Sequence, residues 1–161
     1  KLTTSDASGQ SRQRFVVDLM LMRLGRWLRL TGKDVANPEE GSDWQIRDQA
    51  RREHRTVITR DKILYESCLK ANLPCILIRS SQIEEQLLEM AGRGVPLRLD
   101  PRRCTLCNGE LEKDDETGER WKCRRCGNIY WKGSHWMKME QMLHRICIRE
   151  DDLVSGQKNM T

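Results

Sequence analysis

The chain has 161 residues, 37% of them hydrophobic and 33% charged. That is enough for one domain of about 100 residues with a modest core and a smaller companion. No apolar run approaches the roughly 18 residues of a membrane span, no signal peptide is visible, and a soluble protein without membrane contact is expected. The net charge of +5 permits a polyanion partner without compelling one.

Residues 1–14, KLTTSDASGQSRQR, are polar, lack apolar periodicity and read as a flexible linker. The first residue is Lys1 rather than Met, so a piece of a longer protein is expected. Phe15, Val16 and Val17 then form a short apolar run that suits a strand buried on both faces, and Asp18 closes it. A helix pattern follows at once. Met20, Leu21, Leu24, Trp27 and Leu28 gather on one side, and Arg23, Arg26, Arg29 and Lys33 on the other. Gly32 fits the end of this helix. Residues 34–36 suggest a short second strand, and a helix is expected from Asp43, where Ser42 and Gln45 have capping-box spacing. Its Ile46 and Ala50 face the core.

Residues 56–59, TVIT, are β-branched throughout and read as a buried strand ending at Arg60-Asp61. A short helix with Ile63, Leu64 and Leu69 follows, then the turn Asn72-Leu73-Pro74 and a fourth apolar run over residues 75–78. Ser80 or Ser81 fits as the cap of the next helix, which turns Ile83, Leu87 and Leu88 inward. Strands alternating with helices at these lengths imply parallel βαβ units. The pattern stops near residues 92–101, and the domain boundary is expected there. A last helix is expected over residues 135–148.

Seven cysteines, an odd number, include Cys104, Cys107, Cys123 and Cys126 in the pattern C-x2-C-x15-C-x2-C. Two intervening residues let one turn aim both thiolates at a single ion, and the excursion between pairs is long enough for a hairpin. Four thiolates in a tetrahedron suit a structural Zn²⁺ with no open position, in a reducing, intracellular setting. Asn108-Gly109 and Gly127-Asn128 supply residues that tolerate positive φ where the turns bend. Cys68, Cys75 and Cys147 read as small core residues, and His54, His135 and His144 as isolated.

Charge is uneven. Residues 15–100 carry 14 Lys+Arg against 13 Asp+Glu, whereas residues 101–149 carry 11 against 7. In RWKCRRCGNIYWKGSHWMK, Arg120, Lys122, Arg124, Arg125, Lys132 and Lys138 alternate with Trp121, Tyr130, Trp131 and Trp136. Cations attract phosphates and flat rings stack on unpaired bases, so single-stranded RNA is the partner this mixture fits. The competing reading makes the rings core, and at least Tyr130 or Trp131 is expected to be so. The acidic stretch ELEKDDETGE is expected to point away from RNA. Asp18, Asp43 and Asp61 lie at strand ends or a helix start, where a site can form and where N-caps also favour Asp.

FVVDLMLMRLGRWLRLTG, VITRDKIL, CTLC and CRRCGNIYWKGSH, in that order, resemble the C-terminal RNase domain of the Mut-seven family of 3′–5′ exoribonucleases, from about Phe15 to about Met139. The resemblance implies a PIN-like α/β domain at 15–95, with a parallel sheet flanked by helices. It further implies a small four-cysteine zinc ribbon and an exonuclease domain upstream. With the last helix the ribbon region is expected at 101–148, and the polar, partly acidic residues 149–161 are expected to form a flexible tail. It also implies a role in small-RNA processing or silencing, in the cytoplasm or nucleus. PIN nucleases hold Mg²⁺ or Mn²⁺ with acids placed like Asp18, Asp43 and Asp61. Many add another acid soon after the third, where Lys62 and Ile63 stand here. The leading expectation is an RNA-gripping module using Arg23, Arg26, Arg29, Lys33, Arg120, Lys122, Arg124, Arg125, Lys132, Trp131 and Trp136. An intrinsic Mg²⁺-dependent ribonuclease and a protein-docking module are the alternatives.

Overall fold

The structure, a computed structural model, describes residues 13–158. The linker expected at 1–14 lies outside them except for Gln13 and Arg14, as do the last three residues of the expected tail. The described residues divide into two compact units. One holds those up to Arg29 with Lys33–Arg79, and the other holds Leu30–Gly32 and those from Ser80 on.

In the first unit, the apolar runs become β1 (Arg14–Val17), β2 (Asp34–Ala36), β3 (Thr56–Thr59) and β4 (Cys75–Leu77). They form one parallel sheet in the order β2-β1-β3-β4. The chain leaves β1 toward β2 and returns across it to β3, so the carboxyl ends of β1 and β3 flank the topological switch point, with Asp18 and Asp61 just beyond them. Val16 and Val57 are register partners and share a face with Ile46 and Ala50 of α2 (Asp43–Glu53) and Leu64 and Cys68 of α3 (Lys62–Lys70). Strand alternation turns Val17 to the opposite face. There α1 (Met22–Leu30) approaches closely at Gly25, where a Cβ would lie 3.1 Å from Val17 Cγ2 and 3.6 Å from Val35 Cγ1. Helices therefore flank the sheet. Leu24, Leu28 and Leu64 are fully buried, each worth about 1.5–3 kcal/mol of apolar transfer.

Local signals match at several points. Gly32 follows α1 at φ +81°, and Gln45 Oε1 accepts the Ser42 N–H at 3.4 Å to close the capping box of α2. The helical periodicity misplaces others. A 3-10 turn at Leu19–Leu21 precedes α1 and shifts its phase, leaving Met20 63% exposed rather than on the buried stripe. Ile63 is 73% exposed and Leu69 is exposed too, because α3 buries only Leu64 and Cys68, one turn apart.

Arg29 is the clearest correction in this unit. It is buried at 3% exposure rather than standing on the wet face of α1. Its Nε donates to Val35 O at 2.8 Å and its Nη2 to Asn37 Oδ1 at 3.2 Å. Gln49 continues the network, donating to Asn37 O and accepting from Glu39 N–H.

The second unit holds α4 (Ile83–Gly92), the ribbon and α5 (Ser134–Lys158). α4 and α5 lie side by side, with Leu87, Met90, Leu143 and Ile146 buried and Arg149 2.7 Å from the Glu85 carboxylate. α5 continues past Ile148, where the apolar periodicity ends, through Glu150-Asp151-Asp152. The ribbon is an antiparallel sheet of β5 (Leu111–Lys113), β6 (Arg120–Cys123) and β7 (Ile129–Trp131) in that order. Trp121 of β6 stacks on Trp136 of α5, with ring centroids 5.3 Å apart and planes 10° from parallel.

Candidate metal centre and nucleic-acid surface

The two C-x2-C segments fold into matching turns. Cys104 N–H donates to Gly109 O and Asn108 N–H to Cys104 O; in the second turn, Cys123 N–H donates to Asn128 O and Gly127 N–H to Cys123 O. Asn108 and Gly127 hold the equivalent positive-φ positions, at 65° and 77°. Each turn thus presents two thiols, and the hairpin between them brings the pairs together.

The four sulfur atoms lie within 4.8 Å of one another. Cys104 Sγ is 3.6 Å from Cys126 Sγ, and Cys107 Sγ is 3.5 Å from Cys123 Sγ. A tetrahedral Zn²⁺ with sulfur ligands at about 2.3 Å requires sulfurs about 3.8 Å apart, so the donor set fits such an ion with little adjustment. Backbone N–H groups already point at sulfur: Gly109 to Cys107 at 3.4 Å, and Arg125 and Cys126 to Cys123 at 3.3 and 3.4 Å. A Cβ at Gly109 would meet Cys123 Sγ at 2.9 Å and Cys107 Sγ at 3.1 Å. The backbone must come this close to the cluster, and only glycine permits it.

Burial works to raise the Cys123 thiol, yet the N–H groups of Cys126 and Arg125 and the neighbouring thiols outweigh it and bring it down to about 6. Cys107 is pushed up to about 12, by burial first and then by bonds with the other thiols, against the Gly109 N–H. A cation is what allows all four to be thiolates together. Beside them, Tyr130 Oη lies 3.0 Å from Cys104 Sγ and 3.1 Å from Thr105 N. Burial, then the Cys104 contact, raises its phenol pKa, so it carries its proton.

Among the described residues these cysteines are the one group of three or more His, Cys, Asp or Glu side chains gathered to hold a metal. His54, His135 and His144 are exposed and do not join it. Cys68 is buried in the sheet core and Cys75 packs against it, as expected, but Cys147 is exposed on α5.

Asp18, Asp43 and Asp61 form no such group. Asp18 is buried and its Oδ2 accepts from Thr59 Oγ1–H at 2.9 Å. The same hydroxyl oxygen accepts the Asp61 N–H at 2.9 Å. Asp61 Oδ1 in turn caps α3, accepting from Ile63 N–H at 2.8 Å. Asp43 opens α2 behind its Ser42 cap. Two aspartates are thus tied to one threonine, each in use as a loop or cap acceptor. Among the described residues, no third His, Cys, Asp or Glu side chain joins Asp18 and Asp61 to complete a group able to hold a metal.

The ribbon's strand alternation sorts the basic and aromatic residues. Trp121 pairs with Tyr130 on one face, while Arg120 pairs with Trp131 and Lys122 with Ile129 on the other. Trp131 is 66% exposed there, with Arg120 directly opposite and Lys122 on the diagonal. Trp136, a base platform by its sequence setting, is instead core, 8% exposed against Trp121, with its Nε1–H bonded to Glu140. Lys132 Nζ sits 5.8 Å over the Trp121 ring and 5.9 Å over Trp136. Tyr130 is half-buried, so of the pair Tyr130 and Trp131 it is the inward one.

The acidic hairpin does not point away from the cations. Antiparallel pairing sets residues 110–114 beside 120–124, and Arg120 pairs with Asp114 at 3.0 Å, and Arg124 with Glu112 at 3.0 Å. Arg125 Nη1 donates to Cys107 O at 3.1 Å. Lys122 is exposed. In the first unit Arg23 and Arg26 are exposed on α1, and Lys33 is half-buried.

Sequence reasoning missed Tyr130 as a partner of the cysteine cluster. The signal was present in the strand alternation, which puts residue 130 on the face of Trp121 and Cys123.

A protein-family model, the Mut7-C RNAse domain, matches residues 13–143. No curated protein matches the chain.

Proposed function

The chain belongs to the Mut7-C RNAse domain family, and from that premise we propose that it grips single-stranded RNA on behalf of a 3′–5′ exoribonuclease domain upstream in the same protein. Family membership makes it a nucleic-acid-related, RNase-type domain. The gripping role rests on the outer face of the ribbon. There the exposed Trp131 ring stands opposite Arg120 and diagonal to Lys122 on one antiparallel face. A ring offers every base a stacking partner whatever its sequence, and cations beside it hold the backbone. Arg120 and Arg124 also pair with hairpin carboxylates. Phosphate must displace these exposed pairs, at a cost of about 0–1 kcal/mol each.

In this reading the four-cysteine centre holds a structural Zn²⁺. All four ligand positions are filled by protein, and no position remains for a reacting water. Arg23 and Arg26 of α1 give the first unit its own cationic contact with RNA. Reduced thiols of this kind suit an intracellular, cytoplasmic setting, and the role in small-RNA processing or silencing rests on the family resemblance alone. No helix among the described residues is long and apolar enough to cross a membrane.

The isolated domain is expected to cleave RNA feebly or not at all, because among the described residues Asp18, Asp43 and Asp61 do not gather into a group able to hold a metal. The test incubates the full chain with end-labelled single-stranded RNA, with Mg²⁺, with Mn²⁺ and with EDTA. Binding without cleavage under all three conditions supports the reading. Robust metal-dependent cleavage abolished by Asp18→Asn and by Asp61→Asn would replace it with an intrinsic nuclease. Absence of RNA binding would leave protein docking as the function of the exposed face.

A further inference from the structure

The two cysteine turns match in backbone but not in what meets the sulfur. In the second turn, Cys123 Sγ receives the N–H groups of Arg125 and Cys126. In the first, its counterpart Cys104 Sγ is met by Tyr130 Oη at 3.0 Å. The same phenol oxygen lies 3.1 Å from Thr105 N and 3.0 Å from Thr105 Oγ1. With Cys104 a thiolate of the metal centre, donor bookkeeping sets the direction of each bond. A backbone N–H can only donate, so Tyr130 Oη accepts from Thr105 N–H. The phenol has a single proton of its own, and a thiolate is purely an acceptor. Thr105 Oγ1 carries a proton that it can give to the phenol oxygen, whereas the sulfur has none to give.

The geometry points to Tyr130 as a positioning residue of the metal centre, one that donates its O–H to the Cys104 thiolate and fastens the first cysteine turn to β7. The hydrogen bond takes up part of the sulfur's negative charge and fixes its direction, as outer-shell donors do around metal ligands. It also spans the ribbon, since Cys104 and Tyr130 are 26 residues apart. Neither the C-x2-C spacing nor the turn backbone provides this tie. The inference rests on the metal reading of the four thiols, and metal analysis of the unaltered chain tests that reading by itself.

The experiment uses the full chain loaded with Zn²⁺ and with Co²⁺, and compares Tyr130→Phe with Thr105→Val. Zinc retention is read by competition with a chromophoric chelator. Cobalt reports the sulfur ligands through its sulfur-to-metal charge-transfer absorption. Tyr130→Phe is expected to weaken zinc retention about 10–100-fold, the usual cost of losing an outer-shell partner, and to shift the cobalt band. Thr105→Val keeps both the backbone N–H and the phenol, and is expected to leave retention and band close to those of the unaltered chain. Equal retention in Tyr130→Phe and the unaltered chain would overturn the assignment. So would a loss in Thr105→Val as large as that in Tyr130→Phe, which would make the phenol a packing group. Should Tyr130→Phe fail to fold, 3-fluorotyrosine incorporation gives the second arm, since Tyr65, the other tyrosine, lies in the first unit. A more acidic phenol donates more strongly and is expected to move the cobalt band opposite to hydrogen-bond loss. An unmoved band would overturn the assignment.

Discussion

The two units reach order by different routes. The parallel-sheet unit distributes its stability over many buried aliphatic contacts, with Val16, Val57, Ile46, Leu64 and Cys68 in one continuous cluster. The ribbon sheet has few such groups. Its three short strands rest on four thiols and a stack of two tryptophans. A core of many small contributions survives the loss of one of them. A centre with four ligands does not, because the remaining thiolates are left crowded without their ion.

The largest effect is therefore expected from Cys104→Ser. Metal analysis of that variant is expected to find well under one zinc per chain, and hydrogen exchange to show reduced protection across residues 101–131, with β1 to β4 still protected. Equal loss in both units would erase the distinction. Leu64→Ala is the reciprocal test. Truncating this fully buried side chain is expected to destabilise the sheet unit by about 2–5 kcal/mol in denaturant unfolding, while zinc retention stays unchanged. Lys122→Ala, on the exposed ribbon face, is expected to leave both stabilities alone and to flatten the salt dependence of RNA binding. The slope of log K against log salt falls by about 0.7 for each phosphate of a single strand that is no longer neutralised.

How much of this was legible in the sequence follows the same division. The β-branched TVIT segment, the Ser42–Gln45 box and Gly32 each announce their roles through local chemistry, and each sits where that chemistry puts it. The cysteine spacing announces the four-thiol cluster because its turns are local too. What was hidden depended on partners distant in sequence. Nothing in a helical wheel reveals that Val35 O and Asn37 Oδ1 wait for the Arg29 guanidinium. Trp136 reads as a platform until Trp121 is seen stacked on it. The acids of the hairpin look segregated along the chain and become ion-pair partners only once β5 lies against β6. The aspartates stand where strand-end logic puts them, but whether they converge is decided by side-chain directions that spacing does not encode.

The most direct test of RNA gripping by the ribbon is equilibrium binding of the full chain to a fluorescent single-stranded oligouridine across a salt series, with and without Trp131→Ala. Affinity is expected to fall steadily with salt. Trp131→Ala is expected to remove about 1–3 kcal/mol, the worth of one base–ring stack, with the salt slope preserved because no cation is removed. Binding that ignores salt, or a Trp131→Ala variant that binds as tightly as the unaltered chain, would contradict it.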